Sequence, residues 1–483
     1  MTTPTTPDFV QIQVVIIGAG IAGLTAAIAL RRVGHKVIML EQDSDVNTHY
    51  AGGCRLAPNI ALVYKRWGLY APLREIGIIL EHAEFPGFHT GTVAAGGDWV
   101  EDMKDASGAN HWSLRYEDFR KVLADTAKAS GVVIRLNSLA VSITVKPEKA
   151  AVKLASGELI VGDLVVAADG RDEVEGKRPV SRPMMLGDQD HAKFKRLMMY
   201  NALIPGSAMR SDPALARFLP KGVEQGSVIL WHGDSYGAIG FPTRMDEFCI
   251  HVYCPAAEPA HDSILMAGPA DLLRAMEAGK AEPQLKKLAA AAHTVVGIPV
   301  RDRPSLEDWV HPDGPMIVIG EAAHPLTTGA LTALNLAAGD GMLLGRLFKN
   351  LHRKEQIGSF LSALVENRQK RITDVRNAER LNPATLSLPA GVDQARYLKT
   401  TVQHMGDEGI QAFGEEVCPA RLLGFVLLSV PQAIRNTFSY DPEDEADTWW
   451  VEWGLLQERA AKITPITPLN LSSDVHARTH SIS

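Results

Sequence analysis

The chain has 483 residues, of which 46% are hydrophobic and 22% are charged, and its formal net charge is −7. This length suggests about three domains, and the composition is that of an ordinary globular protein. The acidic balance and the lack of a Lys/Arg-rich run argue against a nucleic-acid-binding protein. The 4 cysteines are scattered without a spacing typical of zinc ligands, so we predict reduced thiols and no metal site.

The N-terminus and the longest apolar run show no targeting or membrane signal. The first residues, "MTTPTTPDFVQ", lack a basic segment followed by an apolar one, so we expect no signal peptide. The longest apolar run, at 422–430, is too short to span a bilayer. We therefore expect a cytoplasmic protein with no membrane span.

The first predicted element is a buried strand that runs into a glycine-rich turn. Residues 14–17 form an unbroken β-branched run, which is typical of a parallel strand covered on both faces. Gly18, Gly20 and Gly23 then give the spacing G-x-G-x-x-G. In this motif the first glycine allows a tight turn and the second lets a pyrophosphate approach the backbone. The third lets the following helix pack closely on the strand.

A helix and a second strand complete this unit. The pattern predicts a helix over 21–33, whose N-terminal amides would point at the phosphates, and a strand over 36–40. Glu41 follows that strand directly and is placed to accept hydrogen bonds from a ribose diol. The order of strand, glycines, helix, strand and acid predicts a dinucleotide site. NAD and FAD both remain open at this point because the two sites share this pattern.

Further helical and strand patterns alternate along the chain. We predict more helices at 60–67, 116–130, 269–278, 282–292 and 334–350. We predict more strands as short pieces within 84–97, as three segments within 132–161, and at 164–168, 196–253 and 316–319. The segment 176–190 is rich in Pro, Arg and Gly and is predicted to cross between domains. Asp441 and Pro442 open the last clear helix.

This order of elements predicts an α/β fold in which a nucleotide-binding domain is interrupted and later resumed. The predicted division is 10–180 for the first part of that domain, 181–300 for a substrate-binding β-sheet domain, 301–380 for the second part, and 381–483 for a helical C-terminal region.

Three motifs together connect the chain to a known family. They are the glycine motif, the D-G segment "LVVAADGRDEVEGKR" at 164–178, and "GEAAHPLTTGALTALNLAAGDG" at 320–341. With these motifs the chain resembles the class A, single-component FAD-dependent aromatic monooxygenases, most closely the fungal salicylate-hydroxylase-like members. The resemblance implies a glutathione-reductase-like FAD domain and NAD(P)H and O2 as co-substrates. It also implies a small aromatic or secondary-metabolite substrate that is hydroxylated or epoxidised.

The resemblance also implies which residues contact FAD. The implied contacts are Gly18, Gly20, Gly23, Glu41, Arg55, Arg115, Asp169, Glu321, Ala333 and Leu334. Among them, Glu41 would hold the adenosine ribose, Glu321 would reach the ribityl chain, and the amides near Ala333 and Leu334 would face the isoalloxazine. In an alternative register of the comparison with the family, Tyr116 instead of Arg115 occupies the position beside the flavin. His324 is expected to support the flavin loop rather than to act as an acid or base.

The sequence departs from the family pattern at several of these places. Glu321 replaces an aspartate, and Leu331 and Ala333 stand where relatives carry glycines, so we expect strain in that loop and weaker FAD binding. Asn201 stands before "LIP" where some relatives carry an arginine that stabilises a phenolate. Tyr236 is the candidate for a hydroxyl that faces the substrate, and a tyrosine without a catalytic part is the competing interpretation.

Three further functions compete with oxygenation. The departures from the family pattern favour a flavoprotein-fold enzyme that does not oxygenate, such as a cyclase, isomerase or oxidase. A simple NAD dehydrogenase and a non-enzymatic binding protein also remain open. The sequence does not predict the oligomeric state or identify the substrate.

Overall fold

The structure is a computed structural model that describes residues 9–46, 52–98, 110–171, 178–259, 265–326, 328–377, 386–389, 391, 438–456 and 458–459. The strands are β1 Gln13–Ile17, β2 Lys36–Leu40, β3 Gly53–Leu56, β4 Gly77–Pro86, β5 Val93–Asp98, β6 Trp112–Arg115, β7 Val133–Arg135, β8 Ala140–Lys146, β9 Lys149–Leu154, β10 Leu159–Gly162, β11 Leu164–Ala167, β12 Lys193–Pro205, β13 Gly226–His232, β14 Gly237–Arg244, β15 Glu247–Pro255, β16 Leu265–Ala267, β17 Thr294–Asp302 and β18 Met316–Val318. The α-helices are α1 Ile21–Arg32, α2 Pro58–Arg66, α3 Tyr70–Ile76, α4 Tyr116–Ala129, α5 Ser181–Leu186, α6 Gly206–Arg210, α7 Pro213–Ala216, α8 Pro269–Ala278, α9 Pro283–Ala290, α10 Leu331–Phe348, α11 Ile357–Asn377 and α12 Pro442–Trp449.

A five-stranded parallel sheet forms the nucleotide-binding unit. Its strand order is β18-β11-β1-β2-β7, and every neighbouring pair is parallel. Apart from Gln13 at the start of β1, the residues of β1 and β11 are apolar and buried, as expected for a sheet covered on both faces. Because β18 lies about 150 residues beyond β11 in sequence yet pairs with it, the unit is discontinuous. The α/β fold class is confirmed, whereas the domain boundaries remain a prediction.

A ten-stranded sheet forms the second layer, with the main order β16-β17-β12-β15-β14-β13-β4-β6-β3. Successive side chains of a strand point to opposite faces. On one face, Phe248 and Ile250 of β15 pack with apolar residues of α7, α8 and α9. On the other face, the Tyr253 hydroxyl of the same strand contacts the carbonyl of Thr328, in the loop before α10. The second face therefore closes one side of whatever site lies between the two units.

Helix α10 is packed tightly against α1 through glycines. A Cβ atom at Gly341 would lie 2.5 Å from the backbone nitrogen of Ala26, and one at Gly345 would lie 2.3 Å from the Cβ of Ala29. The absence of side chains at these positions lets the two helices approach closely. Both helices therefore present their N-termini to the same region of the molecule.

The structure differs from the sequence predictions in several places, and it adds β3, β6, β17 and α3, which were not predicted. Helix α10 begins at Leu331 instead of 334, the segment 132–161 contains four strands instead of three, and the region 196–253 includes the short helices α6 and α7. The predicted crossing at 176–190 contains α5. Short helices and one extra strand escaped prediction because they carry too few residues for a periodic pattern.

Most of the predicted C-terminal helical region lies outside the described residues. Within the described part, α12 begins as predicted, since the Asp441 carboxylate accepts hydrogen bonds from the backbone amides of Glu443 and Asp444. No helix in the described ranges combines the length and apolar character that crossing a bilayer requires.

Candidate functional site

A groove runs along the carboxyl ends of the parallel strands, where ligands of open α/β sheets bind. It consists of two adjoining cavities of 220 Å³ and 350 Å³, which share lining residues such as Gly20, Tyr116 and Glu321. We call the first the inner cavity and the second the outer cavity. The inner cavity also touches the ten-stranded sheet at His251, and the outer cavity lies at the ends of β1, β2 and β11.

The three motif glycines have different tasks in this groove. Gly18 has a φ of +94°, and a Cβ atom there would lie 2.5 Å from the carbonyl oxygen of Ala168. A Cβ atom at Gly23 would lie 2.1 Å from the carbonyl oxygen of Gly18. At Gly20, by contrast, no described atom lies within 4 Å of that position. Gly18 and Gly23 therefore shape the turn, and Gly20 leaves open space at the N-terminus of α1, where an anion is favoured.

Glu41 holds the glycine turn from the end of β2. Its carboxylate accepts a hydrogen bond from the amide of Ala19 at 2.8 Å and from the amide of Asp43 at 3.2 Å. The Nη2 atom of Arg120 lies 3.7 Å away. Because a carboxylate can accept about four hydrogen bonds, capacity remains for a ligand in the outer cavity, which Glu41 lines.

Asp169 anchors the segment that follows the D-G turn. Its carboxylate accepts hydrogen bonds from the amides of Val180 at 2.7 Å and Ser181 at 3.0 Å, and from the Ser181 hydroxyl. Burial raises the pKa of Asp169, although these hydrogen bonds oppose that shift. Arg171, two residues further on, donates to the carbonyl of Leu326 and to the Oγ1 of Thr328. The D-G turn is therefore tied to the loop before α10.

The G-E-A-A-H-P turn is held by a buried carboxylate. Asp340 of α10 accepts hydrogen bonds from the amide of Gly320 at 2.8 Å, from His324 at 2.6 Å and from Arg368 at 2.6 Å. Burial alone would raise the pKa of Asp340, but His324 and Arg368 outweigh it and hold the pKa below its ordinary value. His324 is buried and packs on Trp309, so its contacts are those of a structural residue.

Glu321, Ala333 and Leu334 meet at the inner cavity. The Glu321 side chain is 38% exposed, lines both cavities and lies 3.6 Å from Nη1 of Arg171. Ala333 and Leu334 lie in the first turn of α10 and line the inner cavity, and the Ala333 amide donates to the carbonyl of the cap residue Ala330 at 3.4 Å.

The expectation of backbone strain at Leu331 and Ala333 was wrong. Both residues are helical, and Gly329 takes the left-handed conformation of this loop with a φ of +81°. A glycine therefore already occupies the position that needs one, and α10 can begin three residues earlier than predicted.

Arg55 and Arg115 differ in their positions relative to the groove. Arg55 lines the inner cavity, and its Nη2 donates to the carbonyl of Gly329 at 3.2 Å. Arg115 is not among the described residues that line the groove, because its guanidinium pairs with Glu117 at 2.7 Å and lies 3.4 Å from Glu247. Tyr116 lines both cavities, so the alternative register describes this place better.

Tyr236 does not reach the groove. It stacks on Phe88 with ring centroids 5.6 Å apart and packs with the cluster on the helix-covered face of the sheet. Tyr236 precedes β14, and its packing on the helix-covered side keeps it away from the predicted contact. Asn201 lies on the groove-side face of β12, where its Oδ1 accepts from the Cys249 thiol at 3.2 Å, but the described lining of the cavities does not include it.

Two residues of β15 contribute to the site, and the sequence analysis missed both of them. His251 lines the inner cavity, and the Tyr253 hydroxyl donates to the carbonyl of Thr328 at 3.0 Å. Burial and then the charge of Arg55 lower the pKa of His251 to about 3, so this imidazole is neutral. Alternation along "FCIHVYC" places these two residues on one face, but only the strand pairing shows which face meets the groove.

Comparisons with known proteins agree with this geometry. A family model described as an FAD binding domain matches residues 13–61. The FAD-dependent monooxygenase OpS4 of Beauveria bassiana is 27% identical over 438 residues, which cover 88% of this chain and 98% of the relative. The crystal structure of CtdE with FAD and a substrate superposes with a TM-score of 0.73 at 20% identity, covering 93% of this chain and 100% of that one. A salicylate hydroxylase substrate complex gives a TM-score of 0.66 at 18% identity, covering 90% and 97%.

The fold, the groove and these likenesses define an FAD-binding enzyme. The chain is similar to FAD-dependent monooxygenases over most of its length, as the three sequence motifs predicted.

The different tasks of the glycines lead to a first prediction. Gly20 has φ −75° and ψ 179°, which alanine adopts without strain, so Gly20→Ala should fold normally. Its Cβ would occupy the space that a pyrophosphate needs, and we expect the Kd for FAD to rise at least about tenfold. Gly18→Ala should instead lower the unfolding midpoint of the FAD-free protein. Fluorescence titration and thermal unfolding measure the two effects, and an unchanged Kd in Gly20→Ala would contradict this assignment.

The position of Glu321 leads to a second prediction. Removing a charge-assisted hydrogen bond costs about 1.5–3 kcal/mol, which corresponds to about tenfold or more in affinity. We expect Glu321→Ala to weaken FAD binding by at least that factor in a fluorescence titration, and Glu321→Asp to retain it. Glu277→Ala, which changes an exposed glutamate on α8, is the matched control and should bind FAD normally. Equal affinities of Glu321→Ala and Glu277→Ala would show that the carboxylate does not contact FAD.

Proposed function

We propose that the protein uses NAD(P)H and O2 to hydroxylate or epoxidise a small aromatic or secondary-metabolite substrate. The observation that carries the proposal is the inner cavity, which lies between the N-terminus of α10 and one face of the ten-stranded sheet. The relative OpS4 is named a monooxygenase, and the salicylate hydroxylase complex contains a substrate, which supports an aromatic ligand.

The residues present fit FAD along the groove. In our proposal Gly20 makes room for the pyrophosphate, Glu41 accepts from the adenosine ribose, and Glu321 accepts from the ribityl chain. The first turn of α10, with the amides near Ala333 and Leu334, would face the isoalloxazine and offer the positive end of the α10 dipole. Asp169 contributes indirectly, because its carboxylate is already engaged by the segment beside the outer cavity.

When bound and reduced, FAD supplies the activation of O2 for transfer of one oxygen atom to an electron-rich carbon. The chain supplies the surroundings for that chemistry. The walls of the inner cavity are mostly small or apolar, including Ile21, Ala22, Ala330 and Ala337. Such walls exclude water and strengthen the few electrostatic contacts that remain.

The charge of Arg55 lies at the sheet side of the inner cavity. Its guanidinium reaches across from β3 to Gly329 and lies 5.4 Å from the ring centroid of Phe241. In this position it would border both the flavin and the substrate, in agreement with its predicted FAD contact. Since Asn201 cannot supply a positive charge, Arg55 is the better candidate for stabilising negative charge on a substrate.

The use of NAD(P)H is proposed to be transient. The sequence carries a single G-x-G-x-x-G unit followed by helix, strand and acid, and FAD would occupy it. A reductant that binds only while it reduces the flavin does not require a second domain of this kind.

Substrate-dependent oxygen consumption tests the proposal. We expect FAD-loaded protein to oxidise NADH or NADPH in the presence of a suitable aromatic metabolite, and to release a product that contains one atom from isotope-labelled O2. At FAD concentrations that leave the Gly20→Ala variant without bound FAD, this variant should neither oxidise NADH or NADPH nor release the labelled product. Product formation without label incorporation would contradict the proposal and would favour a cyclase, isomerase or oxidase on the same fold.

A further inference from the structure

His251 offers the inner cavity a hydrogen-bond acceptor. It lies in the middle of β15, is 4% exposed and lines the cavity. Its Nε2 atom lies 3.1 Å from the carbonyl oxygen of Gly53. Because a carbonyl only accepts, Nε2 must carry the proton, and the neutral ring therefore has an unprotonated Nδ1. Nδ1 is buried and has no hydrogen-bond partner among the described residues.

The ring cannot relieve this state by taking up a second proton near neutral pH. Burial, and then the charge of Arg55, lower the pKa of His251 to about 3. A buried acceptor that stays unpaired is unfavourable, and such groups in native proteins usually meet a water or a ligand. The partner of Nδ1 must be a hydrogen-bond donor, so a carboxylate or a carbonyl group cannot take this role.

Arg55 narrows the choice among donors. It is 8% exposed and lines the same cavity. Burial and then the charge of Arg55 also lower the pKa of His111. A hydroxyl that donates to Nδ1 gains negative charge on its oxygen, and a nearby guanidinium stabilises that charge. An N–H donor gains no such benefit.

We propose that His251 Nδ1 accepts a hydrogen bond from a phenolic or enolic hydroxyl of the substrate while Arg55 stabilises the oxygen. This contact would orient the substrate and raise the electron density of its ring, which favours the oxygen transfer. The inference rests on the proposed function only in taking the inner cavity as the substrate site.

A buried water is the competing occupant. Asn201 is the cross-strand neighbour of His251, and its Nδ2 also has no partner within the described part of the chain. A water molecule could accept from Asn201 and donate to His251, as buried waters commonly do. In that case substitution of His251 would not change the discrimination between ligands with and without a hydroxyl.

Two variants of His251 test the roles of its two ring nitrogens separately. His251→Gln can keep a donor near Nε2 for the carbonyl of Gly53 but removes the acceptor at Nδ1. His251→Asn can keep an acceptor near Nδ1 but shortens the reach to Gly53. His232→Gln is the matched control, because His232 also has a buried Nδ1 without a described partner but is not in the described lining of either cavity.

Equilibrium dialysis of the FAD-loaded protein against para-cresol, which keeps its hydroxyl proton at neutral pH, and against its methyl ether tests the proposal. The two probes differ in that the ether lacks the hydroxyl proton. We expect the wild-type protein to bind the phenol about tenfold more tightly than the ether, the scale of one hydrogen bond. His251→Gln should remove this preference without weakening the ether, whereas His251→Asn and His232→Gln should keep it.

Three results would overturn the inference. They are equal or absent binding of the two probes by the wild-type protein, a preserved preference in His251→Gln, and an equal loss of both probes in His251→Gln. The second would indicate a buried water and the third a purely structural role. Because dialysis needs no NAD(P)H and no turnover, a failure of oxygenation would leave these results interpretable.

Discussion

The buried carboxylate of Asp340 is the interaction on which the groove depends. It accepts hydrogen bonds from the Gly320 amide, His324 and Arg368, and thereby fixes the turn after β18 to α10. Arg368 in turn donates to the carbonyl of Leu336 and to the Tyr440 hydroxyl, so α11 and the segment that leads into α12 join the same network. A buried charge is tolerated only when it is paired and hydrogen-bonded in this way, and loss of one partner would leave the others uncompensated. The turn that carries Glu321 is thus held in one geometry.

The groove itself is built mainly from backbone of distant segments. The turn at 18–20, the D-G turn at 169–171 and the start of α10 converge because glycines permit contacts that a Cβ would block. Fixed backbone amides and helix N-termini suit a cofactor that brings its own chemistry, since they bind and orient without adding reactive groups. The reactive character of the inner cavity then depends on a few side chains from the opposite sheet, and this division explains how one cofactor domain serves different substrates in a family.

The parts that the sequence could predict are those governed by local rules. The strand at Lys36–Leu40 and the start of α1 lie where the pattern placed them, because β-branched runs and motif glycines act within a few residues. The three motifs likewise identified the cofactor. Two site predictions that depended on tertiary contacts, those for Arg115 and Tyr236, do not match the described lining of the groove. Arg115 is drawn from the groove by Glu247, which is remote in sequence, and Tyr236 lies on the face of the sheet that helices cover. His251 escaped notice because its place follows from the pairing of β15 with β12 and β14, which no local pattern reveals.

The central claim is that FAD lies along this groove with its isoalloxazine between the N-terminus of α10 and the ten-stranded sheet. A crystal structure of the protein with FAD tests it most directly. We expect the pyrophosphate beside Gly20, the ribityl chain beside Glu321, and the isoalloxazine against the amides of Ala333 and Leu334 with His251 on its far side. Electron density for FAD outside the groove, or an isoalloxazine that does not reach α10, would contradict the account.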